Sequence, residues 1–421
     1  MKMPQSPPPD KGLSEDMISL ENLNLAVKFN SEYLHWDEIR HRDTGKAEPA
    51  DIWKLIKIVR SLNREHHDFN GISVSYSNIP EFQRFTHEFD IRSTLNFIPK
   101  DKMDDHKKVM YSISSIMEES IASSQMEGAN TTIDVAKKML RDKRSPKNKA
   151  ERMIYNNYAA MELIKKNKDE KLTVDLITDI HNVITHGTLD DENDEGVFRK
   201  NNDIVVSDPL TGDIYHRPVD FEKVEKCIGS LCKYVNNESF VPPLIKASII
   251  HFMIAYIHPF IDGNGRLARS LFYWYLIKKG YPLAEFLAIS KSIKAHRGSY
   301  DLAYLHSETD DNDMTYFIKF NLKCVEESLN IFLKYLDRKV KEQKEFEKNI
   351  LSDEDMNIRQ KMILQDAMKD GNAFSVYEVQ SKYQTAYQTA RTDVLGLIEK
   401  GMVKEFGRDG NKKLYIFSGK K

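Results

Sequence analysis

Apolar positions recur every three to four residues along most of the first 350 residues, a spacing that predicts amphipathic α-helices. The clearest examples are "LENLNLAVKFNSEYLHWDEIRHRD", "PADIWKLIKIVRSLNREHH", "DDHKKVMYSISSIMEESIASSQMEG", "VDLITDIHNVITHG" and "PPLIKASIIHFMIAYIH". Residues 1–16 are polar and rich in proline, which predicts a disordered tail. The pattern therefore predicts a mainly α-helical protein behind a short N-terminal tail.

Two segments interrupt the helical pattern. The stretch "DKRSPKNKAER" (142–152) is short and basic, and we expect it to be a solvated linker. The stretch "GVFRKNNDIVVSDPLTGDIYHRPVD" (196–220) has β-branched residues on both sides of an Asp-Pro-Leu-Thr-Gly turn cluster. This arrangement predicts a small β-hairpin set into the helical domain.

The pattern changes from about residue 354 onward. Three short helices are predicted in "IRQKMILQDAMKDG", "SVYEVQSKYQ" and "TAYQTARTDVLGLIEKGMV", followed by two strands in "KEFGRDGNKKLYIF". This order resembles a winged helix-turn-helix, and a long helical pattern joins it to the preceding region. We expect four parts: a tail at 1–16, a helical region at 17–145, a central domain at 146–335, and a linker helix with a winged helix at 336–421.

Composition excludes several classes of protein. Of the 421 residues, 40% are apolar and 30% are charged, which is ordinary for a soluble globular protein. The net charge of −2 gives no overall field that would recruit nucleic acid or an anionic membrane. The most apolar window, 247–257, is too short to cross a bilayer, and the N-terminus resembles no signal peptide. Three cysteines without CxxC or metal-binding spacing favour a reducing compartment, so we expect a cytoplasmic protein.

The most informative chemistry lies in "HPFIDGNGRLAR" (258–269). A Gly-Asn-Gly turn directly before a helix makes backbone N–H groups converge at the positive end of a helix dipole, which predicts an anion site. Arg266 and Arg269 are three residues apart, so both guanidinium groups can address neighbouring phosphates. Asp262 offers the single carboxylate that Mg²⁺ uses beside phosphate oxygens. His258, at the end of the preceding helix, can act as a general base near neutral pH.

Each of these features alone has an ordinary explanation. A Gly-Asn-Gly segment is usually a plain turn, a histidine on an apolar helix usually belongs to the core, and a helical arginine is usually solvated. Two other nucleotide motifs are excluded. The sequence has no GxxxxGK(S/T), and the Gly-Asn-Gly lacks the third glycine and preceding strand of a dinucleotide site. It is the joint occurrence within twelve residues that favours a nucleotide site.

The stretch "HPFIDGNGRLAR" is similar to the Fic family signature, HPFx(D/E)GNGRxxR, at every defined position. The resemblance extends over roughly residues 20–335. It implies an all-helical Fic domain with a β-hairpin flap. It also implies a protein adenylyltransferase, which transfers AMP from ATP to a Ser, Thr or Tyr hydroxyl of a target protein or of itself. Mg²⁺ is the implied cofactor and ATP the implied substrate.

The resemblance also assigns roles to individual positions. It implies that His258 takes the proton of the attacking hydroxyl, that Asp262 holds Mg²⁺, and that Phe260 is a buried structural anchor. It implies that the hairpin at 199–217 is the flap on which the target protein docks. The residues implied to bind ATP are Gly263, Asn264, Gly265, Arg266 and Arg269.

A second motif lies upstream, in "SISSIMEESIASSQMEGAN", where Ser123 and Glu127 are followed by Gly128. The ordinary interpretation is the end of a helix with Gly128 as its C-terminal stop. An acidic residue in the last turn opposes the helix dipole, which a partner cation would explain. The motif resembles (S/T)xxxE(G/N), the inhibitory motif of self-restrained Fic proteins. The resemblance implies that Glu127 pairs with Arg269 and keeps the γ-phosphate of ATP out of its productive position.

Other interpretations stay open from the sequence. One is an ATP-sensing, DNA-binding regulator, although the intact His258 argues against it because a sensor needs no base. Another is a Fic enzyme that removes AMP or transfers a different phosphoryl-containing group. Arg297 and Tyr300 lie where the family tends to contact nucleotide or target, but we do not include them in the predicted site because "GSYDLAY" lacks the expected tyrosine pair.

The winged helix has two predicted roles. Its net charge is about +3, which is too mild to require DNA. We therefore expect it to dock protein or to support a homodimer, with DNA binding as the alternative and no membrane partner. The residues that would face a DNA groove are Tyr387, Gln388, Arg391 and Thr392 on the third helix and Arg408, Lys412 and Lys413 in the wing.

Overall fold

The structure is a computed structural model. It describes residues 3–9, 18–93, 105–208, 211–352, 355–370, 373–410 and 412–418. The chain divides into two compact units, one of Met1–Lys100 with Lys108–Phe332 and one of Asp101–Lys107 with Leu333–Lys421. Most of the described residues are helical, as the spacing of apolar residues predicts.

The elements of the N-terminal region are α1 (Leu20–Glu32), α2 (Trp36–Ile39), α3 (Pro49–Ser61), β1 (Arg64–Asp68), β2 (Ser73–Ser77) and α4 (Pro80–Ser93). The next four helices are α5 (Asp105–Met126), α6 (Ile133–Arg141), α7 (Lys149–Lys166) and α8 (Val174–Thr185). They are followed by β3 (Val206–Ser207), β4 (Ile214–His216), α9 (Val224–Asn236), α10 (Pro243–Ile257) and α11 (Asn264–Lys278). The series continues with α12 (Ile289–Ala295), α13 (Arg297–Thr309) and α14 (Thr315–Ser352).

The predicted helix "PADIWKLIKIVRSLNREHH" is wrong in its last part. The helix α3 ends at Ser61, and the next residues form β1, which pairs antiparallel with β2. Asn70 and Gly71 both adopt positive φ, 57° and 89°, and make the two-residue turn between the strands. An Asn-Gly pair is the strongest short hairpin signal, since these residues tolerate left-handed backbone. The sequence contained this signal, and the helical pattern before it obscured it.

The helix α10 lies at the centre of the first unit. Twelve of its fifteen residues are buried, so it is covered on all sides rather than on one stripe. It packs against α9 and α11. The polypeptide between α10 and α11 is therefore a short connection between two buried helices.

A buried arginine fastens the N-terminal helices to the start of α14. The guanidinium of Arg60 is fully buried and donates hydrogen bonds to Asn30 Oδ1 (3.0 Å) and to the carbonyl oxygen of Leu34 (2.7 Å). It also donates to the hydroxyl of Tyr316 at 2.6 Å and lies 3.4 Å from a carboxylate oxygen of Asp310. Since Asp310 and Tyr316 flank the loop between α13 and α14, this network ties α1 and α3 to α14 and to the end of α13, which lines the cavity described below.

The second unit contains α15 (Ile358–Asp370), β5 (Phe374–Ser375), α16 (Val376–Lys382), α17 (Tyr387–Glu399), β6 (Val403–Asp409) and β7 (Lys412–Phe417). The strands form an antiparallel sheet in the order β5-β7-β6. The three predicted helices and the hairpin are present in chain order. A cluster of their apolar side chains, including Leu364, Val379, Val394 and Leu397, forms the core. The assignment as a winged helix stays a prediction.

Part of the predicted tail is described. Residues 3–9 form neither helix nor strand, and the backbone N–H of Gln5 donates to Asp37 Oδ1 at 3.0 Å. Residues 10–16 lie outside the described residues, and the domain boundaries proposed from the sequence stay predictions. In the described ranges no helix is long and apolar enough to cross a membrane.

We expect Asp310→Asn to lower the free energy of unfolding by about 3 kcal/mol, because it removes a buried carboxylate beside the buried Arg60 cation. Chemical denaturation of the full chain measures this loss. Asp311→Asn is the matched control. Its carboxyl side chain is 84% exposed and pairs with Lys57 at 3.3 Å, so its removal should cost less than about 1 kcal/mol. Equal losses in the two variants would contradict a structural role for the Arg60 network.

Candidate active site

His258 ends α10 with its ring held in one orientation. Its backbone is left-handed (φ 50°), and its N–H donates to the carbonyl oxygen of Ile254 at 3.0 Å. The ring Nδ1 lies 3.2 Å from the carbonyl oxygen of Ala255, an acceptor, so Nδ1 carries the proton in the neutral ring. The lone pair is then on Nε2, the arrangement that a general base needs.

The environment of His258 favours its neutral form. Burial lowers its pKa to about 4, although the hydrogen bond with Ala255 and the charge of Glu127 act in the opposite direction. The neighbouring His216 and Arg199 lower the pKa further. The imidazole is therefore unprotonated at neutral pH and ready to accept a proton.

The loop after His258 is held by its own side chains. Phe260 is fully buried, as predicted, and its ring stacks on His181 with centroids 3.6 Å apart. Asn264 accepts from the N–H of Phe260 (3.0 Å) and donates to its carbonyl oxygen (2.8 Å). The side chain of Asn264 is therefore used to close the loop. Only the backbone N–H of Asn264 could therefore contribute to the anion site predicted from the sequence.

Glycine is required at the start of α11. Gly263 has φ +84°, and a Cβ there would lie 2.8 Å from a methyl group of Thr185. As the N-cap residue of α11 it has no side chain that could cap the helix. The N-terminus of α11 thus keeps its positive dipole end open toward the loop, the geometry of an anion site.

Asp262 lies at the open edge of the loop. Its side chain is 52% exposed, and Oδ1 accepts a hydrogen bond from the N–H of Gly263. Oδ2 is 3.7 Å from Nη2 of Arg266. A carboxylate in this position can reach a cation that also contacts an anion at the helix N-terminus.

Arg266 is buried with part of its hydrogen-bonding capacity unused. Its side chain is fully buried, and Nη1 donates to the carbonyl oxygen of Ile184 at 3.0 Å. Its Nε and Nη2 have no hydrogen-bond partner among the described residues. Unsatisfied buried donors are costly, and an anion at the helix N-terminus would relieve that cost.

Arg269 is bonded through Nε and Nη2 to the segment at the end of α5. Its Nε donates to the hydroxyl of Ser123 at 2.8 Å, and its Nη2 donates to the Ser123 carbonyl oxygen at 3.0 Å. Nη2 also donates to Glu127 Oε1 at 2.8 Å. The motif residues 123 and 127 therefore lie beside Arg269, and Gly128, with φ +91°, turns the chain away immediately afterwards.

Glu127 is held as an anion in the same place. Burial would raise the pKa of its carboxyl group, but the charge and hydrogen bond of Arg269 outweigh burial and lower it. A Cβ built on Gly265 would lie 2.2 Å from Glu127 Oε1. The carboxylate therefore lies against the backbone of the first turn of α11, where the sequence predicted an anion site.

Further contacts position α5, and no local sequence pattern predicted them. Glu119 is buried and accepts from the hydroxyl of Tyr273 on α11 at 2.7 Å and from the N–H of Ser290 on α12 at 2.8 Å. Arg297, on α13, donates to the carbonyl oxygen of Met126 at 3.2 Å and so caps the end of α5. These bonds fix the end of α5 beside the loop.

A cavity of about 140 Å³ joins these residues to the hairpin and to α13. Tyr300 and Tyr304 line it and lie one helical turn apart, with ring centroids separated by 5.2 Å. Both tyrosines belong to "GSYDLAY", which we expected to lack the tyrosine pair. Their i, i+4 spacing on a helix is the signal that could have predicted this pairing. The cavity residues from the predicted set are Glu127, His258, Gly265 and Arg269.

The hairpin is fastened beside the same loop. Its strands β3 and β4 pair antiparallel, with Val206 opposite His216. Arg199, at the base of the hairpin, is buried and donates from Nε to the carbonyl oxygen of His258 at 2.9 Å. Its backbone N–H donates to the carbonyl oxygen of Pro259 at 2.9 Å. The hairpin and the loop are therefore anchored to each other by the side chain and the backbone of Arg199.

Comparison with known proteins gives sequence relatives for part of the chain. The family model for the Fic/DOC family matches residues 171–276. The protein adenylyltransferase Fic of Nematostella vectensis is 28% identical over 169 residues, which cover 39% of this chain and 35% of that relative. The protein adenylyltransferase Fic of Drosophila erecta is 31% identical over 103 residues, covering 24% of this chain and 19% of the relative. The chain thus matches about a third or less of the length of these relatives.

Solved structures show the same fold. A Fic family protein from Desulfovibrio desulfuricans has a TM-score of 0.54 at 17% identity, covering 82% of this chain and 98% of that one. A variant of Fic-1 from C. elegans has a TM-score of 0.50 at 16% identity, covering 75% of this chain and 84% of that one. The family match includes the whole loop between α10 and α11, and the two solved structures share the fold of this chain.

Proposed function

We propose that the protein is a protein adenylyltransferase that transfers AMP from ATP to a Ser, Thr or Tyr hydroxyl of a target protein or of itself. The observation that carries the proposal is the neutral His258, which lines one cavity with Gly265 in the first turn of α11 and with the buried Arg269. The family match and the names of the relatives support a transferase of this class.

In the proposed reaction the target hydroxyl gives its proton to Nε2 of His258 and its oxygen attacks the α-phosphorus of ATP. The new P–O bond joins AMP to the target, the bond between the α- and β-phosphates breaks, and pyrophosphate leaves. Gly263, Asn264 and Gly265 provide backbone N–H groups for the phosphates. Arg266 and Arg269 balance the charge on the leaving group and the γ-phosphate. Such catalysis rests on positioning and charge stabilisation.

Asp262 would hold Mg²⁺ in this site. A half-exposed single carboxylate fits the usual way that Mg²⁺ is bound, through one or two carboxylates with phosphate oxygens and water. When bound, the ion would neutralise charge on the triphosphate. The contact between Asp262 and the N–H of Gly263 orients the carboxylate for this role.

Glu127 would act as an inhibitor of this reaction. Its carboxylate pairs with Arg269, the residue assigned to the γ-phosphate, and lies against Gly265. Two anions compete for one cation and one space, so ATP would bind with its γ-phosphate displaced while Glu127 is in place. An alternative keeps the same residues but hydrolyses the AMP adduct, with Glu127 orienting a water that attacks the phosphorus while the bond to the target oxygen breaks and AMP leaves. It is favoured by the position of Glu127 in the cavity that His258 also lines.

The hairpin at 199–217 would present the target. An extended segment can add to an exposed strand edge through backbone hydrogen bonds, and this would bring a hydroxyl toward His258. For the second unit we propose a winged helix that docks protein or supports a homodimer. The side chains of Tyr387, Gln388, Arg391 and Thr392 are exposed along one side of α17, which keeps DNA binding as its alternative.

We expect Glu127→Gly to raise auto-modification with ATP and Mg²⁺ by about tenfold or more, because it frees Arg269 for the γ-phosphate. Incorporation of label from α-labelled ATP measures the change. Glu127→Gln is the matched control, since it keeps the size of the side chain and removes only the charge, so its gain should be smaller. A Glu127→Gly protein no more active than the wild type would contradict the inhibitory role.

The position of the label on ATP distinguishes the reactions. In Glu127→Gly protein we expect incorporation from α-labelled but not from γ-labelled ATP, because the proposed reaction retains the α-phosphate and releases the other two. Adding His258→Ala should abolish incorporation, since it removes the base. Mass spectrometry of the product identifies the adduct. Incorporation from γ-labelled ATP would replace the proposal with a kinase-like reaction, and loss of AMP from modified protein would support the alternative.

The depressed pKa of His258 predicts an unusual pH profile. A base that titrates at about pH 4 stays unprotonated above that value, so kcat/KM of Glu127→Gly protein should not fall between about pH 7 and about pH 5 on its account. Removing Glu127 also removes a charge that raises this pKa, so the acidic limb should not move upward. Far-UV circular dichroism at each pH controls for unfolding. A half-maximal rate near the ordinary histidine value would show that His258 is not desolvated as described.

A further inference from the structure

The proline-rich tail turns one face toward the protein. Pro4 is buried and Pro7 is partly buried, whereas Gln5 and Ser6 between them are exposed. Pro8 is also partly buried. Burial therefore recurs after three residues, which indicates a regular conformation of the tail.

The sequence of the tail favours a polyproline II conformation. The pyrrolidine ring holds φ at roughly −65°, and a residue that precedes proline is kept out of the α region. Met3, Ser6, Pro7 and Pro8 all precede a proline. A polyproline II helix has about three residues per turn and no hydrogen bonds of its own, so Pro4 and Pro7 fall on one face and the backbone stays free for a partner. The two prolines that face the protein are thus the two that this conformation aligns.

Gln5 is held at two points by a pair of charged residues. Its backbone N–H donates to Asp37 Oδ1 at 3.0 Å, and its side-chain Oε1 accepts a hydrogen bond from Nη1 of Arg40. Arg40 also donates from Nε to Asp37 Oδ1 at 3.0 Å, so the pair is fixed by its own contact. Hydrogen bonds to charged groups are stronger than those between neutral groups. This pair therefore favours a residue with an accepting side chain directly after a proline.

A cavity of about 650 Å³ lies between residues 6–9 and α3. Its volume is in the range of pockets that take small ligands. Polyproline II segments dock in grooves lined by aromatic rings, and Trp53 supplies such a ring here. The remaining wall consists of Lys54, Lys57, Ile58 and Ser61 of α3 and residues 309–311. We call all these wall residues, together with Asp37 and Arg40, the tail groove, and the tail fills it only in part.

The polar contacts of the tail are weak enough to exchange. The side chains of Arg40 and Asp37 are 27% and 29% exposed, and exposed charged pairs contribute little net free energy. A tethered segment competes at an effective concentration in roughly the millimolar range. A segment that also fills the cavity makes more contacts than the tail does, so it can displace the tail despite the tether.

We propose that the tail groove is a docking site for a proline-rich segment of a partner protein, and that residues 4–9 of this chain occupy it until such a segment replaces them. The partner's segment has two prolines three positions apart and a hydrogen-bond acceptor directly after the first. None of the residues assigned to the proposed reaction belongs to the groove, so this inference does not depend on the proposed function.

The first test measures binding to the full chain with its own tail released. Pro4→Gly combined with Pro7→Gly removes the two rings that face the protein and loosens the polyproline II conformation. A fluorescein-labelled peptide of residues 1–12 should bind this variant, and should bind the wild type about tenfold more weakly because the tethered tail competes. Fluorescence anisotropy measures both affinities, and far-UV circular dichroism confirms the fold. Absence of binding to the folded variant would overturn the proposal.

A second measurement uses the wild-type chain. A saturating concentration of the unlabelled peptide should increase hydrogen exchange at the backbone N–H of Gln5, because the displaced tail loses its bond to Asp37. Unchanged exchange at saturation would show that the peptide does not enter the groove, and the proposal would fail.

The selectivity of the groove separates a partner from the resident tail. A peptide that keeps Pro4, Gln5 and residues 7–9 but has alanine at every other position should bind within about threefold of the natural peptide. Alanine at positions 4 and 7 instead should weaken binding about tenfold or more. If the first peptide fails to bind, the groove recognises only its own tail and no partner segment is expected.

The matched control variants are Arg40→Ala and Arg92→Ala. Arg40→Ala should weaken binding of the peptide about tenfold, because it removes a charge-assisted bond to Gln5. Arg92 also pairs with an acid on its own helix, Glu88 at 3.9 Å, but it lies on α4 outside the groove, so Arg92→Ala should leave binding unchanged. Equal losses in the two variants would indicate a general effect of charge and contradict the groove.

Sedimentation of the wild type identifies the remaining occupant, the tail of a second copy of this chain. We expect the peptide to leave the oligomeric state unchanged. A dimer that the peptide dissociates would show that tails exchange between copies, and this would overturn the assignment to a partner protein.

Discussion

The buried guanidinium of Arg269 is the constraint around which the site is organised. A cation that is 3% exposed cannot be left without acceptors, because the cost of an unpaired buried charge amounts to several kcal/mol. Ser123 and Glu127 supply those acceptors, so the end of α5 must lie beside the start of α11. The bonds of Glu119 to Tyr273 and Ser290 and of Arg297 to Met126 follow from the same placement. A ligand that binds Arg269 must therefore either displace Ser123 and Glu127 or share the guanidinium with them.

In the loop between α10 and α11 and the first turn of α11, some residues hold the backbone in place and others line the cavity. The side chains of Phe260 and Asn264 are used to hold the loop, and Gly265 lines the cavity without a side chain of its own. A site built this way is ordered before its ligand arrives, so little reorganisation is needed at the moment of reaction. His258 is the C-cap residue of α10, so its position is set by a helix that is buried on all sides.

Local patterns predicted the helices, the flap hairpin and the signature loop, because each depends on neighbours in the sequence. The β1–β2 hairpin was missed although Asn70 and Gly71 signal its turn, since the helical spacing before it carried more weight. The use of Asn264 as a clamp was not predictable, because an asparagine can bond a ligand or a backbone with equal ease. The pairing of His216 with Glu308 joins residues 92 positions apart and depends on the packing of α13, which no local pattern encodes.

The absence of a side chain at Gly265 bears on how the proposed site could be regulated. The missing side chain admits the carboxylate of Glu127, and in the proposed reaction a phosphate oxygen would need the same few ångströms of space. A bulkier residue at 265 would exclude the two together. Selectivity between an intramolecular acid and an external phosphate therefore cannot be built at the point of contact. In the proposed enzyme it would come from whatever displaces the end of α5, so regulation would act on that helix rather than on the loop.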